Sequence, residues 1–161
     1  MKDVLPSRSS SAPDAPPLAC RRVEGPDELV THHDIRRAVF VVEQGLFAID
    51  DRDGHDDDPA TVHVLGFVRG VPAGTVRLHP IDGPLWKGDR LAVLPEFRRS
   101  GIGGPLVRHA VAAAARCGGT RMNAQVQAVN VRFFLALGWA AVGEPADHLG
   151  VPHQQMTIAL G

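Results

Sequence analysis

The stretch that decides the fold is Arg98-Arg99-Ser100-Gly101-Ile102-Gly103-Gly104. An apolar run, Leu91-Ala92-Val93-Leu94, leads into it, and a run of helical character from Leu106 to Arg116 follows. Strand, basic glycine-rich turn and helix, in that order, make a pyrophosphate-binding device. The glycines let the backbone approach an anion. The helix N-terminus turns unpaired N–H groups and a partial positive charge toward it. The arginines add formal charge. Dinucleotide sites use G-x-G-x-x-G near the start of a βαβ unit, with an acid about 20 residues later. Here the turn falls past the middle of the chain and follows a predicted hairpin. No G-x-x-x-x-G-K-[ST] run is present, which argues against an NTPase P-loop.

Upstream, Leu18 to Val23 reads as a first strand. Gly25-Pro26-Asp27-Glu28 reads as a helix start, with proline early and acids in the first turn. Leu29, Ile35, Ala38, Val39 and Val42 carry that helix to about Val42, and Gly45 ends it. Leu46 to Pro59 is a polar loop holding Asp50, Asp51, Asp53, Asp56, Asp57 and Asp58. It is expected to be a solvated turn, and the sharper expectation is a rim that attracts a cationic acceptor. Thr61 to Val68 and Ala73 to Leu78 predict an antiparallel hairpin, followed by a loop from Pro80 to Gly88 and a strand from Arg90 to Leu94.

Downstream, Leu106, Val107, Ala110, Val111 and Ala114 form one helical stripe, and Cys117-Gly118-Gly119 stops it. Arg121 to Gln127 predicts a strand, Val129 to Leu137 a short helix, and Trp139 to Val142 and Gln154 to Leu160 two closing strands. Met1 to about Pro17 is rich in Ser, Pro and Ala and is expected to be a disordered tail, leaving 18–161 as one domain.

With 161 residues, 44% of them hydrophobic, the chain can bury a sizeable core. A net charge of −1 gives no support for binding nucleic acid or a membrane surface. No apolar stretch is long enough to span a bilayer, and no export signal is read, so a cytoplasmic location is expected. Cys20 and Cys117 lack metal-site spacing and read as free thiols. Asp51-x-Asp53-Gly54 matches only part of a calcium loop, without its terminal glutamate, so no metal is expected. There is no tyrosine.

The segment from Leu91 through Arg98-Arg99-Ser-Gly-Ile-Gly-Gly104 resembles the acetyl-CoA motif of the GNAT superfamily of N-acetyltransferases. A second block, Asn130-Val-Arg-Phe-Phe-Leu-Ala-Leu-Gly-Trp139, resembles that superfamily's N-x-x-F-Y-x-x-L-G-F element. The resemblance implies an α/β (α+β) fold. It would have a mixed, mainly antiparallel six- to seven-stranded sheet with helices on both faces. It implies acetyl-CoA as co-substrate and a small-molecule primary amine as acceptor; a homodimer is a compatible assembly. Backbone groups of Leu91, Ala92 and Val93 would pair with the pantetheine arm like an added strand. Arg98, Arg99, Gly101, Ile102, Gly103 and Gly104 would surround the pyrophosphate. Asn130 and Phe133 would line the cofactor near its thiol end. The chain departs from the pattern at Phe134, where the superfamily often has a tyrosine that protonates the leaving thiolate; phenylalanine has no proton to give.

Arg37-Ala-Val-Phe-Val-Val-Glu-Gln-Gly45, the acidic loop and Gly150-Val-Pro-His-Gln-Gln-Met156 resemble a branch of small bacterial GNAT proteins, some of which accompany nitrogen-starvation gene clusters. The first run also resembles acyl-homoserine-lactone synthases, which generally lack the R-x-x-G-x-G turn intact here. The polar residues expected near the reaction centre are Glu43, His63 and His153 for acid–base work and Arg77, Asn123 and Gln125 for the substrate. His63 and Arg77 interrupt apolar strands, where an ionisable group must be satisfied or face a cleft. A histidine can take a proton from an ammonium acceptor near neutral pH.

Overall fold

The computed structural model describes residues 15–161. Residues 1–14, which carry most of the expected tail, lie outside the described ones. The strands are Leu18–Arg22 (β1), Val62–Val68 (β2), Val71–Asp82 (β3), Leu85–Val93 (β4), Arg121–Gln127 (β5), Ala140–His148 (β6) and Val151–Ala159 (β7). They form one sheet in the order β1-β2-β3-β4-β5-β7-β6. Five neighbouring pairs are antiparallel and β4–β5 is parallel.

Period-two alternation gives the left half of the sheet two apolar faces. Leu65 and Ala92 point to one side, against Ile35, Val39 and Phe40, which lie on helix Gly25–Arg36 (α1) and its continuation. Val62, Val64, Val76 and Leu78 point to the other, against Leu106, Val107 and Ala110 of helix Gly103–Arg116 (α2). A short helix, Val131–Ala136 (α3), follows β5. The seat of α2 is cut by two glycines opposite each other, Gly66 on β2 and Gly74 on β3. A Cβ on either would come within 2.9 Å of Ile102 or Leu106, so only glycine lets the start of α2 lie this close to the sheet. No helix among the described residues is long and apolar enough to cross a membrane.

The element order matches the sequence reading, with three differences. Pro80 to Gly88 is not a loop: β3 continues to Asp82, a turn at Gly83-Pro84 reverses the chain, and β4 begins at Leu85. An irregularity in the pairing between Pro80 and Asp82 accommodates the proline's missing N–H. The helix after α1 continues through Arg37–Glu43 as a π-helix, a rare winding that is often found at functional sites. The last two strands are longer than expected, because the two-residue turn Leu149-Gly150 extends their ladder.

The acidic loop is a solvated turn only in part: Asp50, Asp57 and Asp58 are exposed. Its other three carboxylates, Asp51, Asp53 and Asp56, fold inward onto three arginines. Arg36 and Arg77 are fully buried. Arg36 Nε donates to Asp51 Oδ2 at 2.7 Å and its Nη1 to Asp56 Oδ1 at 2.7 Å. Arg77 donates to Asp53 Oδ1 at 2.7 Å and to Asp89 Oδ2 at 2.7 Å. Arg90 Nε lies 2.9 Å from Asp51 Oδ2. The loop also caps itself: Asp53 accepts from the His55 amide at 3.0 Å, and Asp56 Oδ2 accepts from the Asp53 amide at 3.0 Å. Burial pushes Asp56 and Asp89 upward, but hydrogen bonds from His63 and Arg36 to the first, and from Arg77 to the second, outweigh it. Both carboxyls are held well below the usual range.

Asp56→Asn removes a charge that two buried arginines face. It should lower stability by about 3–5 kcal/mol, read as a lower urea midpoint. Because the folded-state pKa values are depressed, this contribution is complete above about pH 4, the ordinary aspartate value, and is lost as pH falls below it. An acid titration of the denaturation midpoint should therefore show a steeper fall for the parent than for Asp56→Asn.

Candidate functional site

β4 and β5 pair at only three positions, Leu85–Arg121, Trp86–Met122 and Lys87–Asn123. Beyond Lys87 they diverge. β4 keeps β3 on one edge, and its other edge faces a cavity of about 200 Å³. The divergence has a local cause. Thr75 pairs with Ala92 and Arg77 with Asp89, so β4 holds one residue more than β3 across this interval. Arg90 absorbs the extra residue in the left-handed region, at φ 52. That conformation costs a non-glycine residue roughly 1–2 kcal/mol, and four contacts hold it. Its Nη2 donates to the Asp51 carbonyl at 2.8 Å, its Nε faces the Asp51 carboxylate, and its guanidinium lies 5.2 Å from the Phe47 ring centroid. Its own carbonyl accepts from Thr75 Oγ1 at 2.9 Å. The acidic loop is thus the clamp that holds the bulge opening the cleft.

Leu91 of β4 and Ala124 to Gln127 of β5 form the cavity's two walls, with Val107 and Ala110 of α2 on one side and Phe40 and Gln44 on the other. Asn130, Phe134, Trp139, His148 and His153 complete the lining. Gln127 Nε2 donates to Gln44 Oε1 at 3.0 Å, tying the two sides together.

The basic glycine turn sits where β4 ends and α2 begins. Gly101 occupies the left-handed region at φ +85, which glycine adopts without strain. Ser100 Oγ accepts from the Ile102 amide at 3.2 Å. No side chain caps α2, so its first-turn N–H groups remain available to an anion. Arg99 is exposed, while Arg98 makes a two-pronged ion pair with Glu43 and donates through Nε to the Val93 carbonyl at 3.2 Å. Arg108, one turn into α2, reaches back toward Gly104: a Cβ there would stand 3.3 Å from its Nη1.

The structure brings some of the expected residues together and separates others. His153, Gln125, Asn130 and Leu91 line the cavity. His153 Nδ1 donates to the Val151 carbonyl at 2.8 Å, which leaves Nε2 as the acceptor in the neutral ring. His63 lies outside the cavity. It bonds Asp56 Oδ1 at 3.1 Å and packs edge-on to His32 and His33, with ring centroids at 5.0 and 5.9 Å. Arg77 is sealed into the ion network. Asn123 accepts from Thr157 Oγ1 at 2.8 Å, and Glu43 is engaged by Arg98. Phe133 stands over Gly103, beside the glycine turn rather than in the cavity, while buried Phe134 lines the cavity and packs edge-on to Trp139. Lys87, Gln127, His148 and Arg108 were not read from the sequence. Only Arg108, four residues after Gly104 on a helix, had a periodic signal that could have found it. No cysteine lines the cavity, and burial pushes the Cys20 thiol up to about 11.

Comparison with known proteins gives a consistent result. The model of the acetyltransferase (GNAT) family matches residues 29–139. A Bacillus subtilis (strain 168) protein with a provisional acetyltransferase name is 30% identical over 140 residues, covering 85% of this chain and 93% of that one. A second protein of that organism, the uncharacterized N-acetyltransferase YjcF, is 33% identical over 125 residues, 76% of this chain and 86% of that one. The crystal structure of a provisionally named N-acetyltransferase from Lactobacillus plantarum superposes with a TM-score of 0.79 at 24% identity, covering 89% of this chain and 98% of that one.

Gly103→Val places methyl groups at the mouth of the turn against Phe133, whose exposed ring can move. Calorimetry should show coenzyme A affinity falling tenfold or more, on the order of 1.4 kcal/mol, with the thermal midpoint nearly unchanged. Unchanged affinity would remove the turn from the binding site.

Proposed function

This chain belongs to the GNAT acetyltransferase family, and on that premise we propose that it transfers the acetyl group of acetyl-CoA to a small primary amine by direct attack in a ternary complex. The observation that carries this reading is the unpaired edge of β4 beyond Lys87, which runs toward the uncapped start of α2. An extended pantetheine arm can pair with the backbone of Leu91 to Val93 as an added strand. The pyrophosphate then falls against the glycine turn, where Arg99 and Arg108 supply charge. Arg98 acts from a distance in this reading: its pair with Glu43 joins the turn to the π-helix on the acceptor side.

His153 Nε2 takes the proton of the ammonium group. The amine nitrogen then attacks the thioester carbon, a C–N bond forms, the C–S bond breaks, and the nitrogen's second proton passes through water to the departing thiolate. Backbone N–H groups of β4 stabilise the carbonyl oxygen as charge develops. The thiolate leaves without a proton from position 134, where Phe134 offers none. No covalent enzyme intermediate is required. The reading takes residues 18–161 as one catalytic domain in the cytoplasm.

A thiol-release assay over a panel of primary amines tests the proposal; turnover of at least one amine is expected. Tight acetyl-CoA binding with no thiol release from any amine would instead identify a non-catalytic acyl-CoA sensor, and turnover of S-adenosylmethionine with long acyl chains a lactone synthase. His153→Ala should lower kcat about a hundredfold with acetyl-CoA affinity retained. His63→Ala should act on stability and leave kcat close to the parent value.

A further inference from the structure

We propose that the acceptor amine carries a carboxylate, and that Lys87 binds it on the open, amide-lined face of β5 and β7; this rests on the acetyl-transfer reading and adds the class of acceptor. Three charged residues line the cavity: Lys87, Asp89 and Arg90. Two are already matched. Asp89 accepts from Arg77 at 2.7 and 2.8 Å, and Arg90 lies against Asp51 at 2.9 Å. Lys87 makes no ion pair among the described residues and is half-buried at the last β4–β5 pair, level with Asn123. The cavity therefore presents one uncompensated positive charge.

The surrounding face is neutral. Antiparallel register sets Gln125 opposite Gln155 and Gln127 opposite His153, and directly opposed residues share a side of the sheet. These side chains donate and accept hydrogen bonds but cannot neutralise a cation. In the acidic loop Asp51, Asp53 and Asp56 are committed to Arg36, Arg77 and Arg90, and its exposed carboxylates, Asp50, Asp57 and Asp58, do not line the cavity. A polyamine would meet Lys87 with no free anion to offset the repulsion. A singly charged carboxylate matches one ammonium set among amides. A phosphate, with more charge and three oxygens, calls for guanidinium forks or a helix N-terminus, which lie at the other end of the cleft.

The test uses the full chain and acetyl-CoA. Thiol release is compared for α-, β- and γ-amino acids, for the primary amides of the same compounds, and for spermidine. The amino acids should exceed their amides in kcat/KM roughly tenfold or more. Lys87→Gln should erase that preference mainly through KM, and Lys87→Arg should retain it. Equal turnover of acid and amide, a preference for spermidine, or indifference to Lys87→Gln would overturn the proposal while leaving acetyl transfer standing. Ligand-observed NMR on the protein saturated with coenzyme A reads the same preference without chemistry. Selective binding of the carboxylate compounds with no thiol release would defeat acetyl transfer and support the carboxylate site. Absence of selective binding together with absence of turnover would defeat both.

Discussion

A backbone edge that its neighbour abandons must find hydrogen-bond partners elsewhere, and here that edge is β4 beyond Lys87. The surrounding architecture makes this edge usable. Gly66 and Gly74 draw α2 down onto the sheet, so the helix N-terminus lies at the far end of the abandoned edge. Leu91, Val107, Ala124 and Val126 keep the walls apolar, which suits an amide-bearing chain that brings its own donors and acceptors. A linear ligand with a dianionic end fits such a groove, with its polar links on the strand and its charge on the helix.

The cleft stays open because of an ion cluster with no direct claim on the ligand. Replacing buried ion pairs by apolar residues is often neutral or stabilising, so stability alone does not account for this one. It is better understood through Arg90. A left-handed arginine in a strand persists only where its surroundings over-determine it. Asp51 binds Arg90 through both its carboxylate and its carbonyl, and Arg36 fixes Asp51 from the other side. An apolar replacement could fill the volume but could not aim a guanidinium.

Much of this was legible in the sequence. The glycine turn and the apolar stripe of α2 are local signals, and they found the strand, turn and helix at one end of the cleft. Alternation located the strands, though Pro80 concealed the continuity of β3, because a proline in a strand reads as a break unless the irregular pairing around it is known. The opposite end of the cleft was harder. Its residues come from β4, β5 and β7, which only register brings together. Asn123, Gln125 and Gln127 are ordinary polar positions until their partners on β7 are known. The acidic loop was misread at Asp51, Asp53 and Asp56 for a similar reason: six aspartates among polar residues signal solvent, which holds for Asp50, Asp57 and Asp58, and nothing local says that Arg36, Arg77 and Arg90 wait beneath. His63 and Arg77 were noticed correctly as anomalies in apolar strands, and the anomaly proved to be that buried charge network.

The sharing of carboxylates within that network also bears on how the protein can change over generations. Asp51 serves Arg36 and Arg90, and Asp56 serves Arg36, Arg77 and His63. The sharing leaves a partner in reserve: without Arg90, Asp51 keeps Arg36, and without Asp51, Arg36 keeps Asp56. Stepwise drift through this loop therefore loses bonds one at a time while the remaining charges stay paired, unlike the loss of one partner from an isolated buried pair. Gln125 and Gln155, paired across β5 and β7, lie outside this network. Drift on the face of β5 and β7 is thus uncoupled from the loop that holds the cleft open, and the loop itself is buffered by its shared carboxylates.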